Sequence, residues 1–359
     1  MLEFENNNIS PRAVAPLLAC RALFSGYLMN RQQHIQAWLA ELFPGQEVAL
    51  TPASADASFR RYFRVIVAGN HTRIVMDAPP AHEDVGPWLS VQRQLHAAGV
   101  HVPAVEAENL HSGFLLISDL GETTFLQRLS QENANAMYTD ALSTLVTIQT
   151  IARPAGLPDY DAALLRRELD LFPEWFLLKH HQVALSNDDL EKLNKLFDRI
   201  IQRNLSEPHV FVHRDYHSRN LMLTEPNPGV IDFQDAVWGP ASYDVVSLLK
   251  DAYIQWDEEQ TLDWLIRYWE RARACGVALP ADFAKYFEDY EWMGVQRHLK
   301  VLGIFARLFH RDGKDAYLKE LPRVMSYVRK ASERYGELRF LMHLLDRVEG
   351  TTSQSGLTF

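Results

Sequence analysis

The apolar positions of this chain fall into two textures. Over residues 31–42 they recur at Ile35, Trp38, Leu39 and Leu42, three or four apart, which predicts an amphipathic helix that "FPG" then stops. Short strand-like runs follow over 47–51, 62–67 and 73–76, with "AGNH" as the turn between the last two. A helix is predicted over 85–98, ending at Gly99, and two more strands near 105–108 and 114–118, joined around "HSG". The order strand, strand, strand, helix, strand, strand describes a small five-stranded antiparallel sheet with one packed helix, an α+β pattern.

Beyond Gly121 long helical periods take over. "SNDDLEKLNKLFDRIIQRNL" opens on a candidate cap at Ser186, and its apolar stripe is Leu190, Leu193, Phe197, Ile200 and Ile201. Further helices are predicted over 123–151, 243–253, 258–274, 283–309 and 321–348, with a hairpin set among them: "NLML", the turn "TEPNPG", then "VIDF". The expected organisation is an N-terminal extension over 1–30, poorly ordered, a sheet-rich lobe over 31–117, a larger, mainly helical lobe over 118–348, and a flexible polar tail over 349–359. Ligand sites commonly form at seams of this kind.

A length of 359 residues suits two domains or one two-lobed unit. The net charge of −10 argues against broad nucleic-acid binding, which needs a basic face, but says nothing against a small anion held locally. Two cysteines, Cys20 and Cys275, are too few for a disulfide framework and read as free thiols in a reducing compartment. "LLAC" at 17–20 looks like a lipidation site, yet Glu3 and Glu5 lead the segment, and Pro16 and Arg21 interrupt its apolar run. No stretch reaches the ~18 apolar residues of a membrane helix, so a cytoplasmic monomer with no membrane partner is expected, with Met29 as an alternative start.

The chemistry concentrates in "HRDYHSRNLM" at 213–222. Asp215 and Asn220 precede one short strand and Asp232 ends the next, so three oxygen-bearing side chains are expected to converge across a hairpin. A hard cation such as Mg²⁺ takes few carboxylate or amide oxygens when phosphate oxygens supply the rest. A carboxylate left free can accept a proton from a substrate hydroxyl. This is the arrangement of protein kinases: a catalytic-loop Asp, an Asn five residues on, and a metal-binding Asp after the next strand.

On these residues the chain resembles the protein-kinase-like phosphotransferases of the aminoglycoside and choline kinase superfamily. Protein kinases carry a Lys two residues after the catalytic Asp; here His217 stands there, similar to the H-x-D-x-H-x-x-N of the small-molecule enzymes, and "WGPASYDVVSLL" replaces a long activation segment. "RRYFRV", "VMDAPP", "ISDLGETTFLQRL", "IDFQDAVWGPASYD" and "QRHLKVLGIFARL" are together similar to the bacterial kinases that phosphorylate N-acetylmuramate or N-acetylglucosamine at the anomeric hydroxyl in cell-wall recycling. The resemblance implies ATP and Mg²⁺ as cofactors and a small-molecule sugar as partner. It implies Asp215 as the group that orients and deprotonates the acceptor, and Asn220 and Asp232 as metal ligands. His213, His217 and Asp244 would be structural, Asp244 as a buried carboxylate accepting hydrogen bonds from the loop. The backbone of Ser118, Asp119 and Leu120 would meet the adenine edge, and "SADASF", with Ser54 and Ser58, would cover the phosphates. Asp235 reads either as a substrate contact or as a solvated turn. Trp238 and Arg297 are further substrate candidates; on a helix Arg297 and Lys300 share a face, and surface solvation is the expected role for at least one of Arg297, His298 and Lys300.

One position departs from the pattern. Kinases place a Lys on the third strand to grip the phosphates, and here Met76 and Asp77 fall at that point. Either an arginine among Arg60, Arg61, Arg64 and Arg73 substitutes, with Arg60 or Arg64 favoured for their fork geometry, or the metal carries more of the phosphate charge. The departure also keeps two alternatives open: a kinase of another alcohol, such as an aminoglycoside or choline, and a non-catalytic nucleotide-binding regulator.

Overall fold

A computed structural model of the chain describes residues 31–55, 59–67 and 71–350. The extension expected over 1–30, Ser58 of the phosphate-covering stretch and residues 351–359 of the tail lie outside the described residues. The last described helix runs to Glu349, with Gly350 in a left-handed conformation closing it. The fold divides into two compact units. One holds the described residues up to Val85 together with Val105–Asp119, and the other holds Gly86–Ala104 and the residues from Leu120 on.

In the first unit, helix α1 (31–42) is followed by strands β1 (Val48–Ala55), β2 (Arg61–Val67), β3 (His71–Asp77), β4 (Val105–Asn109) and β5 (Phe114–Ser118). They form one antiparallel sheet in the order β1-β2-β3-β5-β4. Alternate residues of β2, Phe63, Val65 and Val67, point to one face with Val75, Phe114 and Leu116, and α1 covers them with Ile35, Trp38 and Leu39. Helix α2 (Gly86–Ala97), predicted as the packed helix of this sheet, clusters instead with the second unit, where Trp88 meets Phe233. Gly113 makes the β4–β5 turn with φ +71°, and a Cβ there would lie 1.9 Å from the Ala78 carbonyl oxygen, so only glycine fits.

The second unit is mainly helical. The helix predicted over 123–151 is two helices, α3 (Phe125–Arg128) and α4 (Ala134–Gln149). Asn133 breaks the run by accepting the Ser130 amide and donating to the Arg128 carbonyl, each at 2.8 Å, which competes with helical pairing. Next come α5 (Ala162–Leu169), capped by Asp161, and a π-helical segment (Phe172–His180), neither of which the periodicity predicts. Helix α6 (Asn187–Leu205) starts at the predicted Ser186 cap, with reciprocal bonds to Asp189. Its buried stripe includes Leu196, whereas Leu190 is 41% exposed.

Strand β6 (His209–Val212) pairs with β9 (Val237–Pro240), and the predicted hairpin forms as β7 (Leu221–Met222) and β8 (Gly229–Val230). Helices α7 (Tyr243–Leu249), α8 (Glu258–Ala274) and α9 (Phe283–Asp312) follow. The segment predicted as one helix over 321–348 is α10 (Leu321–Arg334) and α11 (Arg339–Glu349), separated by an extended Tyr335 and a short 3₁₀ turn. Helix α9 is buried almost all round from Asp289 to Gly303, as a central helix must be. At Gly303 a Cβ would lie 2.5 Å from the Leu171 backbone, so this glycine lets the chain ahead of the π-helical segment approach α9 closely. Among the described residues no helix is long and apolar enough to cross a membrane.

Candidate active site

The loop between β6 and β7 carries His213 through Asn220, and its shape is fixed from several sides. Asp244, in the first turn of α7 and fully buried, accepts the amides of His213 (2.6 Å) and Arg214 (3.0 Å). Burial pushes its carboxyl up to about 7, despite the two amides that lower it. Asp251, just past α7, accepts both the amide (3.0 Å) and the hydroxyl (2.5 Å) of Ser218. Tyr216 sends its hydroxyl to the Ala141 carbonyl at 2.7 Å. His213 accepts the Asp215 amide at Nδ1 (3.3 Å), and burial lowers it to about 4. A neutral ring accepting at Nδ1 carries its proton on Nε2.

Arg214 is held in the left-handed region, φ +75°, a conformation that costs a non-glycine residue about 1 kcal/mol or more and persists only when its surroundings over-determine it. They do. Its amide goes to Asp244, its carbonyl accepts Arg297 Nη1 (2.9 Å), and its Nη2 donates to Glu168 (2.6 Å). Glu168 also pairs with Lys300 (3.0 Å) and accepts the Tyr160 hydroxyl. Arg297 and Lys300 both donate to the Tyr243 hydroxyl, at 3.1 and 2.9 Å. Sequence periodicity does place Arg297 and Lys300 on one face, but the expectation of a solvated face fails. Arg297, His298 and Lys300 are all buried, because α9 is the helix around which the unit packs.

Within this frame the three oxygen-bearing residues come together. The Asn220 amide donates to the Asp215 carbonyl (3.0 Å) and to Asp232 Oδ2 (3.1 Å). Asp232, two residues past β8 with φ +65°, also accepts Gln234 Nε2 at 2.8 Å. Burial pushes the Asp215 carboxyl up, but Lys300, Arg297, His217 and Arg214 outweigh it and hold the group down to about 2. Asp215 is therefore ionised at neutral pH. Asn220 meets Asp232 through its amide nitrogen, and both Asp232 oxygens accept hydrogen bonds; a carboxylate and an amide oxygen are the kind of hard donors that Mg²⁺ takes beside phosphate and water oxygens. Among the described residues no three His, Cys, Asp or Glu side chains form a metal cluster. Asp235 is exposed and Trp238 half-buried on β9.

In the first unit, Met76 and Asp77, which stand where kinases carry the phosphate-gripping lysine, are both buried. Asp77 accepts Nε of Arg31 (3.0 Å) and of Arg61 (3.1 Å). The other three arginines also face carboxylates: Arg64 with Asp119 at 2.6 Å, Arg73 with Glu106 at 2.5 Å and Arg60 with Glu83 at 3.9 Å. Ser54 lies on β1 and Ser118 ends β5, while Leu120 is buried.

Several residues of the frame were not singled out as functional. Glu168 sits in no recognisable motif and meets Arg214 across 46 positions, whereas Gln234 and Tyr243 lie inside "IDFQDAVWGPASYD" but were given no role. Asp251 did have a signal: it lies seven residues after Asp244, a spacing that puts two carboxylates on one side of a helix.

An antiparallel five-stranded sheet ahead of a mainly helical unit carrying this Asp–Asn–Asp loop is a protein-kinase-like fold. The profile of the phosphotransferase enzyme family, APH, matches residues 49–277, well over half the chain. The chain belongs to this family and is an ATP-dependent kinase of a small molecule. It is 46% identical over 336 residues to an N-acetylmuramate/N-acetylglucosamine kinase of Neisseria meningitidis serogroup B, covering 92% of this chain and all of the relative. It is 47% identical over 325 residues to the kinase of the same name from Pseudomonas aeruginosa, covering 88% and 96%. Choline kinase LicA from Streptococcus pneumoniae superposes with a TM-score of 0.60 at 12% identity, over 85% of this chain and 99% of that one. The ADP-bound aminoglycoside phosphotransferase APH(2'')-Ib gives 0.54 at 16%, over 82% and 97%.

Proposed function

We propose that the protein transfers the γ-phosphoryl group of ATP to the anomeric hydroxyl of N-acetylmuramate or N-acetylglucosamine. The observation that supports the chemistry is the Asn220 amide nitrogen, which donates to both the Asp215 backbone carbonyl and the Asp232 carboxylate and so ties together the residues proposed as base and metal ligands. The choice of acceptor is supported by relatives at 46 and 47% identity that bear that name.

In this reading Asp215 accepts a hydrogen bond from the C1 hydroxyl and aims its oxygen at the γ-phosphorus. A carboxylate held near 2 is a weak base, so it takes the proton late, as the new O–P bond forms and the bond to the ADP oxygen breaks. Asn220 and Asp232 would hold Mg²⁺, which neutralises phosphate charge when bound. The rate then comes mostly from positioning, which is what the bonds from Asp244, Asp251 and Arg297 to the loop secure. The stretch bearing Ser54 and Ser58 would cover the phosphates, with Arg60 and Arg64 as their cations and the backbone of Ser118, Asp119 and Leu120 against adenine. Using Arg64 this way would require it to leave Asp119. Asp235 and Trp238 are proposed acceptor contacts. Phosphorus NMR of the product from N-acetylmuramate and ATP tests the reading: an anomeric phosphate shows coupling to the C1 proton. Formation of ADP without such a signal would exclude it.

A further inference from the structure

Arg219 directly precedes Asn220 and is exposed, yet no carboxylate lies within ion-pair distance of it among the described residues. Its guanidinium lies against two tyrosines instead, 4.7 Å from the Tyr253 ring centre and 5.7 Å from that of Tyr317, where the rings and their hydroxyls favour its charge. In a chain whose acids outnumber its Lys and Arg by ten, a cation with no carboxylate partner beside the loop is conspicuous. The other cations around Asp215 are committed to the protein: Arg214 and Lys300 to Glu168, Arg297 to Tyr243 and the Arg214 carbonyl.

The rings under Arg219 belong to a continuous wall. Tyr253 lies 5.4 Å from His217 and 6.0 Å from Phe305, and Phe305 lies 5.1 Å from Tyr317. A second observation points to a ligand at the same place. His217 Nδ1 is buried and has no hydrogen-bond partner among the described residues. A buried polar atom without a partner is costly, and a site that receives a substrate hydroxyl removes that cost. Aromatic faces pack against the C–H face of a pyranose, and a guanidinium donates hydrogen bonds to a carboxylate.

We propose that Arg219, Tyr253, Tyr317 and His217 form an acceptor subsite for an amino-sugar that carries a carboxylate, with Arg219 taking the carboxylate and His217 Nδ1 a sugar hydroxyl. The proposal rests on the sugar-kinase reading and deepens it. It assigns the acid of N-acetylmuramate, which N-acetylglucosamine lacks, to a cation on the loop; the buried Arg297 already serves the Arg214 carbonyl, and Lys300 serves Glu168 and Tyr243.

The test is steady-state kinetics of the full chain with both sugars, in the wild type and in Arg219→Gln and Arg219→Lys. Losing one charge-assisted contact lowers the kcat/KM ratio of N-acetylmuramate to N-acetylglucosamine about tenfold or more in Arg219→Gln, chiefly through KM, and Arg219→Lys restores part of it. A wild type that phosphorylates both sugars beside an unchanged ratio in Arg219→Gln overturns the subsite alone. A rise confined to the KM of ATP gives Arg219 to the nucleotide and also overturns it. A wild type that phosphorylates neither sugar overturns the kinase reading and the subsite with it. Should Arg219→Gln fail to fold, the wild type decides: the methyl ester of N-acetylmuramate reacts less efficiently than the acid if Arg219 reads the charge, and equal efficiency refutes the assignment.

Discussion

Glu168 Oε1 accepts Arg214 Nη2 at 2.6 Å, and through this pair a helix remote in sequence holds the strained residue that presents Asp215. Burial pushes the Glu168 carboxyl up, but Lys300 and Arg214 overcome it and hold the group below its ordinary value. Its stabilising effect is therefore full at neutral pH and is lost as pH falls through the folded value. Glu168→Gln leaves two buried cations unbalanced. We expect a loss of about 3 kcal/mol in denaturant unfolding. We also expect kcat to drop about tenfold or more while the KM for ATP moves less, since Arg214 acts through position. Arg214→Lys should not restore the rate, because a single ammonium cannot reproduce the planar fork.

Asp215→Asn preserves the shape of the side chain and the backbone bonds to His213 and Asn220 while removing the proton acceptor. Turnover should fall about a thousandfold, within the range general-base catalysis contributes. Binding of ATP, followed by calorimetry or by the shift in melting temperature, should persist. Undiminished turnover would remove Asp215 from the reaction.

How far the sequence reaches is clearest where the argument is local. The five strands, the Ser186 cap and the hairpin under Asp232 depend on alternation, turn residues and a cap within a few positions, and all of them appear. The resemblance likewise gave Asp244 its place as a buried acceptor of loop amides. Legibility fails where long-range packing decides. Nothing in "QRHLK" says that α9 will be enclosed on all sides, so a solvated role is expected for at least one of Arg297, His298 and Lys300, and all three are buried. Strand β9 contains Gly239 and Pro240, which read as breakers, and it is a strand only because β6 pairs with it. The assignment of α2 to the second unit rather than to the sheet is equally a matter of tertiary contact.

Glu207 gives a pH dependence of stability that is separate from the loop. It is buried and accepts the amide (3.1 Å) and hydroxyl (2.8 Å) of Ser242. Burial, with Asp289 nearby, raises it to about 8, although Ser242 and Lys285 act to lower it. A folded value above the unfolded one means the folded state keeps its proton while the unfolded state has lost it. Its contribution is present below about pH 4.5 and declines as pH rises toward 8. Denaturant unfolding from pH 5 to 8 should show wild-type stability falling relative to Glu207→Gln, by an amount on the order of a few kcal/mol. Parallel curves would show that Glu207 is ionised in the folded state throughout.

Asp77 stands in the third-strand region where kinases carry a phosphate-gripping lysine, and it has a partner set of its own. It is fully buried, with Arg31 from α1 and Arg61 from β2 both donating to it, and Arg31 continues to the Ser112 carbonyl at 2.7 Å. The carboxylate thus ties α1, β2, β3 and the β4–β5 turn together. Removing it leaves Arg31 buried without its counter-ion, which costs about 3–5 kcal/mol, whereas Asp77→Asn keeps hydrogen-bond acceptance and should cost less. Asp77→Lys sets three cations against one another and should destabilise most, so restoring a lysine here does not restore a phosphate grip. Chemical denaturation of the three variants should rank Asn, Ala and Lys in rising order of damage. If Asp77 instead serves the nucleotide, Asp77→Asn will raise the KM for ATP at unchanged stability.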